Sequence, residues 1–250
     1  MIWSLLYSGA SLVSDIHHGV TVHWLEYAYR FVVGKSTTPL YYIVVLIQLT
    51  IITPWVVNIS QRNKKISKLL WLITPFYLLY IYVWNFRAGV SPRLYETLFP
   101  AWFGFYYLGI KARCGLKLKC SGVGILIALV ASCVEALALR TFGLSREFYT
   151  SQITIGSFLF SISVIGWLLK QSDTNTKKLK WLEKFGDCSY GIYYVHMAIL
   201  TLAGKLVKCN NWYLYLGARF VLTAIGSLII VLAGQRIIKS KSILRHIGFI

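Results

Sequence analysis

The run Ser189-Tyr190-Gly191-Ile192-Tyr193-Tyr194-Val195-His196 places a histidine inside an otherwise apolar stretch. A neutral imidazole can take a proton from a hydroxyl, and a polar side chain within hydrocarbon needs either a partner or a pathway. His196 is therefore a candidate catalytic base, proton relay or substrate contact, set against a structural histidine bonded to a neighbouring helix. Tyr190 beside it offers an aromatic face and a hydroxyl to a ligand. Ser189 is expected to cap the helix that follows, and Gly191 to let that helix pack closely. Glu135 and Arg219 are the other ionisable groups within apolar segments. Each would cost about 2.5–3.5 kcal/mol at the centre of a lipid-exposed helix, so both are expected to face a bundle interior, paired or beside a watery cavity. Arg87, with Asn85 nearby and Arg93 and Glu96 further on, could hold a sugar or phosphate at an outer mouth, although a surface arginine in a polar loop is commoner. Glu135, Arg219, Arg87 and Tyr190 are thus the candidate substrate-binding residues. His17, His18 and His23, with Asp15 and Glu26, lack a tetrahedral ligand spacing, and no metal site is assigned to them. No G-x-S-x-G elbow, glycine-rich phosphate loop or H-E-x-x-H motif occurs.

The elements that must carry these residues are apolar blocks. The 250 residues are 57% hydrophobic and 14% charged, whereas soluble domains run at about 45–50% and about 25%. Blocks near the roughly 20 residues that cross about 30 Å of hydrocarbon read as membrane helices, because only a helix or a closed barrel satisfies its backbone there. A barrel's alternation is missing. The predicted spans are Ile2–Val13, Leu40–Val57, Leu69–Trp84, Leu98–Ile110, Ser121–Leu139, Gln152–Leu169, Tyr190–Val207 and Leu214–Ala233. The fold class is all-α: a polytopic transmembrane bundle of about eight spans, forming one membrane-embedded domain over residues 1–250. The first block would make a helix of only about 18 Å, so the chain is expected to start inside a helix, with sequence missing upstream.

Charge sets the orientation. The 26 basic residues outnumber eight acids, giving +18. Seventeen of them fall in alternate connections: 58–68, 111–120, 170–189 and the tail after 233. Eight fall in the other connections, and Arg219 lies within the last span. That alternation predicts both termini in the cytosol and explains the basicity through topology and anionic headgroups, leaving nucleic acid out as a partner. Trp24, Tyr27 and Tyr29 then sit in a long outer loop as an interfacial belt. The cysteines (114, 120, 133, 188 and 209) form no C-x-x-C pair, and neither a disulfide framework nor a zinc site is expected.

Three stretches in order resemble the acyltransferase-3 family of integral membrane acyltransferases. GKSTTPLYYIVVLIQLTIITPW (Gly34–Trp55) is similar to the family's loop leading into an aromatic-rich helix that ends in proline. FPAWFGFYYLGI (Phe99–Ile110) is similar to its aromatic-x-aromatic-x-x-G helix before a basic loop. FGDCSYGIYYVH (Phe185–His196), the most specific, resembles the start of a late transmembrane helix. IWSLLY (Ile2–Tyr7) also resembles a family helix that normally follows earlier ones.

The resemblance implies transfer of an acyl group, most often acetyl, from acyl-CoA as co-substrate, with no bound cofactor. The acceptor would be a hydroxyl on a cell-surface glycan or lipid precursor, at a bacterial cytoplasmic membrane crossed several times by the chain. The partners it implies are the lipid bilayer, acyl-CoA and that acceptor. The family's catalytic histidine and R-x-x-R pair precede the region matched, and no residue here is assigned their place, so this truncated chain could be inactive alone. A base relocated to His196 is the alternative. A transporter or flippase of lipid-linked sugars, with Glu135 and Arg219 as coupling charges, is the rival class, and a non-catalytic membrane partner is the third.

Overall fold

The computed structural model describes residues 2–21, 23–33, 41–116, 120–171 and 180–249, with no account of the side chains of residues 2, 31, 171 and 180–183. Among the described residues the protein is all helical. Its α-helices are α1 Ile2–His17, α2 Trp24–Val32, α3 Tyr41–Arg62, α4 Lys64–Leu69, α5 Ile73–Ala88, α6 Phe103–Arg113, α7 Gly122–Thr141, α8 Arg146–Tyr149, α9 Ile155–Gln171, α10 Lys180–Leu206, α11 Trp212–Ile237 and α12 Lys241–Ile247. Four stretches are long and apolar enough to cross a membrane: Tyr41–Arg62, the run Lys64–Ala88 through α4 and α5, Gly122–Thr141 and Trp212–Ile237; Ile155–Lys170 is a shorter apolar helix. Leu126, Ile127 and Val130 of α7 are exposed, as expected of a helix whose surroundings are lipid.

The chain divides into two compact units, residues 10–174 and residues 1–9 with 175–250. In the first, α3 and α6 bury Val45, Leu49, Phe103 and Tyr107 in one cluster, and α5, α7 and α8 bury Leu78, Ile81, Leu139 and Phe148 in another. The predicted span Leu98–Ile110 is not a continuous helix: a 3-10 turn, Phe99–Ala101, breaks at Trp102 before the 11-residue α6. Pro100 in the turn fits a helix start but cannot donate to a longer ladder. The backbone freed by the break is met by side chains. The buried Thr74 hydroxyl donates to the Pro100 carbonyl (2.7 Å) and accepts from the Gly104 N–H (2.7 Å). The Gln48 amide donates to the Thr97 carbonyl (2.9 Å) while its oxygen accepts from the Phe99 N–H (2.9 Å). Irregular backbone at membrane depth requires such partners.

Residues 24–32, expected as loop, form α2, in which Glu26 and Arg30 pair on one face and Tyr27 bonds to Asp15. An i, i+4 pair of that order supports a helix that propensity alone leaves marginal.

In the second unit α10 and α11 lie against each other, joined by a short loop whose Asn211 caps α11 at the N–H groups of Tyr213 and Leu214. The basic tail after α11 also folds. Ser240 caps α12, Gly248 turns out of it at φ +76°, and Leu244 and Phe249 are buried with Cys188, Val195 and Val231. Trp3 seals this end, donating from Nε1 to the Ile247 carbonyl (2.8 Å) and stacking on Tyr194. The Tyr7 hydroxyl donates to the Tyr194 carbonyl (2.7 Å).

Candidate functional site

Small residues set the spacing of α10 and α11. A Cβ on Gly191 would stand 2.8 Å from a Val231 methyl, one on Gly226 3.0 Å from Ile199, and one on Gly204 3.1 Å from the Arg219 guanidinium. Close backbones of this kind are how helices associate when lipid is the solvent. The close packing expected at Gly191 is present. Ser189 is not a cap: α10 begins at Lys180, nine residues before it. The charged turns Lys180–Asp187 contain good helix formers and no proline, so nothing stops the helix there.

Between the two helices lies a groove of about 760 Å³, mostly apolar, with His196 and Arg219 both on its wall. The α10 contributors include Ser189, Ile192, Tyr193, His196 and Leu200, and the α11 contributors Leu216, Arg219, Phe220, Thr223 and Ala224. His196 Nδ1 lies 2.6 Å from the Tyr193 carbonyl oxygen on its own helix. A carbonyl can only accept, so Nδ1 carries a proton, and in the neutral ring the lone pair is on Nε2. Arg219 reaches from α11 onto α10. Its Nη2 donates to the Leu200 carbonyl (3.2 Å), its Nη1 to the Tyr215 hydroxyl (3.1 Å), and the guanidinium carbon sits 5.2 Å from the Tyr215 ring centre. Its Nε is buried without a partner, and among the described residues no carboxylate pairs with it. The groove thus combines an imidazole, a guanidinium that no carboxylate pairs with among the described residues, and mostly apolar walls.

Glu135 lies elsewhere, in the other unit. From α7 its carboxylate accepts the Tyr82 hydroxyl of α5 (2.5 Å) and the Gly156 N–H (2.6 Å) at the start of α9. Tyr82 in turn accepts from the Ile155 N–H (3.3 Å). An anion on the free N–H groups of a helix start is favourable both as a cap and against the helix dipole. Glu135 and Arg219 therefore each find partners within their own unit. Arg87 lies with Tyr80, Val83 and Trp84 around a smaller cleft of about 440 Å³. Tyr190 is outside the His196 groove; it accepts from the Tyr194 hydroxyl (2.7 Å) and packs on Gly248. His17 and His18 touch edge to face, and among the described residues no three His, Cys, Asp or Glu side chains gather where they could hold a metal ion.

Sequence reasoning missed Tyr193, Tyr215 and Thr223 as companions of His196 and Arg219. The signal for Tyr193 and Thr223 was present as helical spacing, since Ser189, Ile192, Tyr193, His196 and Leu216, Arg219, Phe220, Thr223 each follow i, i+3, i+4, i+7, and Tyr215 stands four residues before Arg219.

Four apolar stretches long enough to cross a membrane define a membrane protein, and one of them, α11, forms a mostly apolar groove with α10. The family model for the acyltransferase domain Acyl_transf_3 matches residues 1–233, and the chain belongs to that family, as FGDCSYGIYYVH had suggested. No curated protein and no solved structure matches the chain.

Proposed function

We propose that the chain transfers an acyl group, acetyl being the expected one, from acyl-CoA to a hydroxyl of a cell-surface glycan or lipid precursor at a bacterial cytoplasmic membrane. The observation that carries this reading is that His196 and Arg219 line one mostly apolar groove in a chain that belongs to an acyltransferase family. His196 Nε2 takes the acceptor hydroxyl's proton as the oxygen attacks the thioester carbonyl carbon. The oxyanion of the tetrahedral intermediate forms beside the Arg219 guanidinium, where a fixed cation in an apolar setting is worth more than in water. The carbon–sulfur bond then breaks, the ester remains on the acceptor, and the imidazolium returns its proton to the departing CoA thiolate. Tyr193, held over the same groove, shapes the acceptor's approach.

In this reading α1, α6, α9 and α10 also cross or enter the bilayer, both termini lie in the cytosol, and Arg87 stands at the outer face. The test uses protein reconstituted in vesicles with radiolabelled acetyl-CoA and, separately, a radiolabelled lipid-linked sugar. Label recovered as ester on the acceptor supports acyl transfer. Movement of the sugar across the bilayer without ester formation would assign the groove to a transporter, and neither activity would leave a non-catalytic partner.

A further inference from the structure

Two further clefts of the α10–α12 unit adjoin each other where α11 ends. The first, about 780 Å³, gathers four cations, Lys184 from α10, Arg236 from α11, Lys239 from the connection and Lys241 from α12, around one acid, Asp187. Among the described residues none of these groups forms an ion pair. The second cleft, about 730 Å³, shares Lys184, Gln235 and Arg236 with the first and continues along α11 past Ile229, Leu232, Ala233 and Ile237. Those residues with Arg236 follow i, i+3, i+4, i+7, i+8, so they form one stripe of α11 that ends in a guanidinium. Ile229 and Ile237 are exposed along it. Gln235 fixes the junction by donating to the Phe249 carbonyl (2.5 Å), which holds α12 against α11.

Topology accounts for a basic residue in any one cytosolic connection, but not for cations from three helices and a connection converging on one cavity that opens into an apolar stripe. We infer that these adjoining clefts bind one molecule of an anionic phospholipid, its phosphate among Lys184, Arg236, Lys239 and Lys241 and an acyl chain along Ile229, Leu232 and Ile237. A basic pocket between membrane helices suits a phosphate, and guanidinium and ammonium groups supply charge-assisted donors to it. The apolar continuation favours a lipid over a soluble phosphate, because only an amphiphile fills both halves. The site is separate from the His196 groove and does not depend on acyl transfer taking place there.

Native mass spectrometry of the whole protein, purified in detergent and offered equal phosphatidylglycerol and phosphatidylcholine of matched chains, reads the site directly. Phosphatidylglycerol is expected to remain bound in preference. The triple variant R236Q/K239Q/K241Q should retain it about a hundredfold less, since each of the three cations near a membrane surface is worth roughly fivefold in affinity. Ala233→Trp, which fills the apolar stripe and leaves every charge, should lower retention as well, while millimolar inorganic phosphate should not displace the lipid. Equal retention of both lipids by the native protein, undiminished retention by the variants, or displacement by inorganic phosphate would each overturn the proposal.

Discussion

A histidine within hydrocarbon must satisfy its ring or leave part of it for chemistry, and His196 does one with each nitrogen: Nδ1 is tied to the Tyr193 carbonyl, and Nε2 stays available on the groove wall. Glu135 was equally visible in the sequence as a costly group in need of partners, but its partners could not be read, because Tyr82 and Gly156 come from other helices. Thr74 is a case with no sequence signal at all: a threonine in an apolar stretch turns out to supply both halves of a broken backbone ladder. Thr74→Val keeps the shape and removes both bonds, so it should destabilise the protein by about 1–3 kcal/mol, read as a lower melting temperature in detergent. Tyr95, in the loop after α5, has its phenol pushed up to about 12 by burial. Its unfolded-state value is 10. The unfolded chain therefore gives up this proton first, and the stability Tyr95 contributes, full below pH 10, is lost as pH rises from there through about 12. The alkaline fall in melting temperature should be shallower in Tyr95→Phe over that window.

Helices follow from apolar length, and that much was legible: the long predicted blocks match α3, α7, α9 and α11 to within a few residues, with α3 and α11 running on by about a turn at their C-terminal ends. What failed were places where polarity was equated with a boundary. Lys180–Asp187 continues α10 because charged residues are good helix formers once the chain leaves the apolar region, and Trp24–Val32 is helical through its own ion pair. The opposite error occurred at Leu98–Ile110, where apolar composition hid a break at Pro100 and Trp102. The start of α9 is held by Glu135, so Glu135→Leu, which leaves N–H groups unmet, should cost about 1–3 kcal/mol, and Glu135→Gln clearly less; chemical unfolding in detergent distinguishes them. Gly191→Leu should force α10 from α11 and cost at least about 1–3 kcal/mol. Because Gly191 also meets the Gly248 carbonyl, that variant should loosen the C-terminal segment and open it to carboxypeptidase.

For the molecule as a whole, the alternating distribution of lysine and arginine was the sequence's clearest statement, and it concerns orientation rather than chemistry. It predicts that connections 58–68 and 111–120 share one side of the membrane, so single cysteines introduced into each should react with a membrane-impermeant maleimide from the same face. The groove between α10 and α11 was only half legible. His196 and Arg219 stood out as polar groups in apolar segments, but their convergence needed the packing that Gly191, Gly204 and Gly226 allow. The proposed chemistry depends on that convergence, and one comparison addresses it most directly: the initial rate of acyl transfer by His196→Ala against the native protein, in vesicles, with melting temperatures matched. A fall of about 100-fold or more, the usual contribution of a positioned base, is the expected result. An undiminished rate in the folded variant would contradict the account and move the reaction away from this groove.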